Sequence, residues 1–129
     1  MHPENELTGI VVDQAIRIHK TLGPGLLENV YEVVLAGALS RTGLRVERQK
    51  AVDINYVGLT FPKAFCMDLL VEEQLIVEVK SVERLANVHA KQLLTYLRLS
   101  NLRFGLLLNF SGETMKEGIR RVINGYGAD

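Results

Sequence analysis

Between residues 8 and 22 apolar side chains recur at helical spacing. Ile10, Val11, Ala15, Ile18 and Leu22 make one stripe, while Asp13, Arg17 and Lys20 take the remaining surface. The stripe predicts an amphipathic helix with Thr8 as its N-cap. Gly23-Pro24-Gly25 interrupts it, and a second helix is expected over residues 27–41, stopping at Gly43. From Arg45 onward the period changes to two. Val52, Ile54 and Tyr56 share one face of a first strand, Val57-Gly58 forms a turn, and residues 60–71 make a second strand. A third strand is expected over residues 75–80, a helix over 86–99, a fully buried strand over 104–110, and a last helix over 113–123 that opens after Ser111-Gly112. The order α-α-β-β-β-α-β-α predicts an α/β protein in which a mixed, four-stranded central sheet is flanked by helices. The third and fourth strands, joined through a helix, should run parallel.

Inside this pattern two acids and a lysine interrupt apolar strands. If the second and third strands turn through Glu72-Glu73-Gln74, Val71 pairs with Leu75 and Asp68 falls opposite Glu78. Period-two alternation then sends Glu78 and Lys80 to one face and Val77 and Val79 to the other. Two carboxylates so placed repel by roughly 0.2–1 kcal/mol at a half-exposed pair and by more when buried. A hard divalent cation turns that repulsion into attraction. Taken alone, the Asp, Glu-x-Lys pattern is equally the polar face of an ordinary strand, so its weight depends on the rest of the chain.

Length and charge narrow the alternatives. The chain has 129 residues, 47% of them hydrophobic, enough for one domain over residues 1–129 with a sizeable core but not for two. Fifteen basic and fifteen acidic residues leave no formal net charge, so any nucleic-acid binding must use a local patch. Arg41, Arg45, Arg48 and Lys50 form one basic stretch and Arg98 with Arg103 another, and both equally suit ordinary solvated surface. No apolar run reaches the roughly 18 residues of a membrane span, and the first six residues lack signal-peptide character, so a soluble, cytoplasmic protein is expected. Cys66, the single cysteine, is expected as a small buried side chain beside the acids.

Gly25-Leu26-Leu27-Glu28-Asn29-Val30-Tyr31 resembles the signature of the GxxExxY proteins. Asp68, Glu78-Val79-Lys80 and Gln92-Leu93-Leu94-Thr95-Tyr96 resemble the PD-(D/E)XK nuclease superfamily, in particular its exonuclease-like branch with a QxxxY motif. Met67 stands where the superfamily's name has proline, a position that contributes no ligand. The resemblance implies a restriction-endonuclease-like core and a nuclease that hydrolyses phosphodiester bonds, of DNA before RNA, with Mg2+ or Mn2+. It further implies that Asp68, Glu78, the Val79 carbonyl and Glu28 hold the metal. Lys80 would orient the attacking water or stabilise the phosphate, and Gln92, Tyr96 and Tyr31 would line the substrate side.

Several of these residues also have plainer readings. Glu28 is an acid in the first turn of a helix, where the dipole favours it. Tyr96 could be a packed aromatic with a satisfied hydroxyl. Gly25 serves the tight turn ahead of the helix, and His89, on the helix face of Gln92, stays outside the catalytic set. The alternative to catalysis is a nuclease-fold module that binds nucleic acid or a protein partner without cutting, for which a homodimer would add contact surface. No cysteine and histidine cluster has zinc spacing, and no glycine-rich loop precedes a phosphate-binding lysine.

Overall fold

A computed structural model describes residues 4–125. Its elements are α1 (Glu4–Leu22), α2 (Glu28–Arg41), β1 (Val46–Tyr56), β2 (Leu59–Val71), β3 (Leu75–Lys80), α3 (Asn87–Ser100), β4 (Phe104–Asn109), a 3-10 turn (Lys116–Gly118) and β5 (Ile119–Ile123). The strands form a mixed sheet in the order β1-β2-β3-β4-β5, in which only β3 and β4 are parallel. The architecture is the restriction-endonuclease-like α/β core that the pattern and motifs implied, with five strands in place of four.

The fifth strand corrects the expected last helix. Met115, Ile119, Val122 and Ile123 carry helical spacing, yet only a 3-10 turn forms before the chain extends along β4. The β-branched side chains of this stretch suit a pleated surface, and pairing with β4 satisfies an edge that would otherwise expose unpaired backbone groups. Helix α1 also begins earlier than expected. Its first turn carries Glu4 and Glu6 at the positive end of the dipole, so Thr8 lies inside the helix instead of capping it.

Strand alternation divides the core. Leu75, Val77 and Val79 of β3, with Leu106 and Leu108 of β4, pack against Leu7, Val11 and Ala15 of α1 and Leu35 and Leu39 of α2. On the opposite face Ile76 and Leu107 meet Leu93 and Leu97 of α3. Each such buried Leu or Ile contributes roughly 1.5–3 kcal/mol. By the same alternation Glu78 and Lys80 belong to the α3 side. No helix among the described residues is long and apolar enough to cross a membrane.

Strand β2 pairs with β3 only through Leu69, Leu70 and Val71, which fixes the expected Val71↔Leu75 register. The connecting turn places Glu72 (φ 53) and Glu73 (φ 54) in the left-handed region without a glycine. Beyond Leu69 the β1 and β2 pair continues alone, as a two-stranded ribbon that leaves the sheet at Asp68.

Candidate active site

Where β2 parts from β3, side chains take over the work of the backbone ladder. The Asp68 amide donates to Oε2 of Glu78 at 2.9 Å, and the Val79 amide donates to Oδ2 of Asp68 at 2.8 Å. The two carboxylates therefore sit in the gap between the strands, Glu78 buried and Asp68 half-buried. Burial, followed by the charge of Asp68, pushes the Glu78 carboxyl up to about 8. Burial also raises Asp68, against the lowering effect of its Val79 hydrogen bond. Lys80, half-buried at the end of β3, lowers both and so lies within reach of the pair.

This donor set fits a hard cation. It consists of carboxylate oxygens whose joint ionisation is costly without positive charge nearby, and Oε1 of Glu78 accepts no hydrogen bond among the described residues. Among the described residues no third His, Cys, Asp or Glu joins Asp68 and Glu78 in a ready-made cluster for a metal ion.

Glu28 is placed beside the site and not between its acids. Its Oε2 accepts the Ser81 amide at 3.0 Å, while Ser81 Oγ donates to the Leu26 carbonyl at 3.0 Å. Tyr31 is fully buried, stacked on Phe110 with ring centroids 4.4 Å apart. Its hydroxyl donates to the Gly23 carbonyl and accepts from the Leu26 amide. Gly25, at φ 106, supplies the left-handed turn between them. The Gly25, Glu28 and Tyr31 motif is thus a clasp, tying the start of α2 to the segment that follows Lys80.

On α3, Gln92 is exposed and Tyr96 half-buried. The Tyr96 ring stacks on Phe65 at 4.1 Å, and burial, then the charges of Glu78 and Asp68, raise its hydroxyl above the usual tyrosine value. His89 Nδ1 accepts the Ala86 amide at 3.0 Å, which closes the N-terminus of α3. Cys66 is exposed, contrary to the expectation of burial, because the ribbon has left the sheet at this point and the side chain no longer meets a layer.

The sequence pattern did not point to Glu32, Gln49 and Asn109, and it marked Arg48 only as part of a basic stretch. Glu32 is buried, holds Arg48 at 2.9 Å, and accepts Gln49 Nε2 at 2.8 Å, while the same nitrogen reaches Asp68 Oδ1 at 3.3 Å. The charge of Glu32 raises both Asp68 and Glu78. The available signal was an acid one turn after Glu28, inside the apolar stripe of Tyr31, Leu35 and Leu39. Asn109, buried at the end of β4, holds the Val82 amide at 3.0 Å and the Val82 carbonyl at 2.9 Å, fixing the loop after Lys80. A cavity of about 440 Å³ lined by Ile16, His19, Lys20 and Met115 contains none of these acids.

A family model for the PD-(D/E)XK nuclease superfamily matches residues 5–122. No curated protein and no solved structure matches the chain.

Proposed function

The chain belongs to the PD-(D/E)XK nuclease superfamily, and on that premise we propose that it hydrolyses phosphodiester bonds with a divalent cation, Mg2+ or Mn2+, acting on DNA in preference to RNA. In this reading it stands with the GxxExxY proteins. The observation that carries the proposal is the crosswise pairing of Asp68 and Glu78, with Lys80 two residues along the strand. Each acid accepts a backbone amide freed where the strands part, and the mutual repulsion of the two is what a cation would relieve.

Asp68 and Glu78 would hold the ion, with the Val79 carbonyl as a further ligand. Such an ion supplies Lewis acidity at the phosphate and makes water a stronger nucleophile. Lys80 would bring its ammonium to the acids, there to orient the attacking water and balance the charge that grows on the phosphate oxygens. Glu28 acts by holding the Ser81 amide, and so by keeping the segment after Lys80 in place. Gln92 and Tyr96, on one face of α3, would meet the substrate backbone. Tyr31 is enclosed in the core and stays outside the substrate set.

The experiment is cleavage of labelled single- and double-stranded DNA with manganese or magnesium, comparing wild type with Lys80→Ala and Asp68→Ala of verified fold. Activity lost in both variants supports the nuclease. An absence of cleavage by any form, together with an absence of manganese binding by calorimetry, would leave a non-catalytic binding module instead.

A further inference from the structure

The ribbon of β1 and β2 carries a feature that the cleavage chemistry does not use. Past Asp68 it runs free of β3 for residues 51–56 and 59–66, a reach of about 20 Å at strand rise. Its register pairs Val52 with Phe65, Ile54 with Phe61 and Tyr56 with Leu59. Directly paired residues share a face, and the alternation of Val52, Ile54 and Tyr56 along β1 puts these three pairs on the same one, across the bulge that interrupts β2 between Phe61 and Phe65. Val52 and Phe65 pack against the cluster on the α3 side, and Phe65 stacks on Tyr96. The other face carries Asn55 and Thr60, hydrogen-bonded to each other at 2.7 Å. One face of the arm is therefore apolar and aromatic from Tyr96 to the tip, on the side of the sheet that holds Glu78 and Lys80.

Towards the tip this face is bare, with Phe61 67%, Leu59 70% and Tyr56 71% exposed. An isolated hairpin gains nothing from exposing two aromatic rings. A second copy of the chain could cover them, but a stable dimer needs roughly 800 Å² from each partner. Two aromatic and two aliphatic side chains fall short of that. Flat rings spaced along an arm that begins at the acids match another occupant. Successive bases of an unpaired strand present π-faces, whereas a duplex hides them. Lys63, exposed in the bulge between Phe61 and Phe65, lies on the same arm and suits a phosphate.

We propose that the apolar face of the β1–β2 ribbon is a stacking track for single-stranded nucleic acid, with Phe61 and Tyr56 as its platforms, delivering the strand past Tyr96 to Asp68 and Glu78. The proposal rests on the nuclease reading and narrows its substrate to single strands or unpaired ends.

The test is fluorescence anisotropy with a labelled oligothymidylate and with a blunt duplex of the same length, calcium replacing magnesium. Wild type should prefer the single strand. Phe61→Ala and Tyr56→Ala should each weaken that binding roughly tenfold, with Phe61→Tyr close to wild type and the melting temperature unchanged. Equal binding by wild type and both alanine variants would overturn the track. So would variants that turn a dimer into a monomer while binding the strand unchanged. Bis(p-nitrophenyl) phosphate, too small to reach the ribbon, separates the two readings. Hydrolysis of it with manganese that depends on Lys80 keeps the nuclease whatever the ribbon does, and an absence of hydrolysis with strand binding that still depends on Phe61 and Tyr56 removes the nuclease and keeps the track as a binding surface.

Discussion

Glu32 and Asp68 share a single hydrogen-bond donor, the Nε2 of Gln49, at 2.8 Å and 3.3 Å. The Gln49 backbone that carries this side chain lies in the left-handed region, at φ 50. An unfavourable backbone conformation kept at such a point suggests that the side-chain bridge matters. Outer groups that orient a metal-binding carboxylate typically change affinity 10- to 100-fold when removed. Gln49→Leu should therefore weaken manganese binding by roughly that factor. Gln49→Gly should do the same while relieving about 1 kcal/mol of backbone strain. Calorimetric titration of both variants checks this, and affinities equal to wild type would show that the bridge does not hold Asp68 in place.

The raised Glu78 carboxyl has a consequence for stability. As pH climbs from 4.5 towards about 8, the unfolded chain releases this proton while the folded chain keeps it. The metal-free protein therefore loses stability across that window. Manganese, binding the ionised pair, should restore it at the upper end. Glu78→Gln should flatten the dependence and melt several degrees higher than metal-free wild type near pH 8, each kcal/mol being worth roughly 4 °C in a chain of this size. The variant should also lose the response to manganese. Thermal melts from about pH 5 to pH 8, with and without the ion, provide the measurement. A wild-type profile that rises or stays level across this window would count against the buried pair.

How much of this was legible follows the periodicity. The Val71↔Leu75 register, which brings Asp68 to Glu78, followed from the acidic turn and the alternation on either side of it. The parallel pairing of β3 and β4 followed from the helix between them. The stretch from Met115 to Ile123 did not, because spacing alone cannot separate a helix from a short edge strand that folds back antiparallel on β4. Glu32 and Gln49 were also out of reach. A buried acid looks like an error in an apolar stripe until its partners Arg48 and Gln49, sixteen and seventeen residues away, are seen across the gap. The ribbon's departure from the sheet was equally hidden, and with it the exposure of Cys66.

Tyr31 tests the clasp formed by the Gly25, Glu28 and Tyr31 motif. Tyr31→Phe keeps the stack on Phe110 but removes the hydroxyl's bonds to Gly23 and Leu26. It should cost about 1–2 kcal/mol. Tyr31→Ala also empties a fully buried site and should cost about 3–5 kcal/mol. Urea unfolding measures both. A similar loss in the two variants would assign the tyrosine's contribution to its hydroxyl alone.

Two glycines with crowded Cβ positions should respond very differently to alanine. At Gly105 the added Cβ would meet Leu93 side-chain atoms at 2.8 Å, and leucine can change rotamer. Gly105→Ala should cost about 1–3 kcal/mol. At Gly118 the Cβ would fall 1.9 Å from the Asn109 carbonyl oxygen, a backbone atom that cannot turn aside. Either β5 must draw away from β4, or Asn109 must shift and release the Val82 backbone that it holds beside Lys80. Gly118→Ala should therefore cost about 3 kcal/mol or more. It should also speed amide exchange across residues 119–123 and lower cleavage further than the stability loss alone accounts for. Hydrogen exchange on the two variants, with cleavage compared at a temperature where both remain folded, separates the effects. If Gly118→Ala proves as mild as Gly105→Ala, the close packing of the turn on β4 would not be what positions the loop after Lys80.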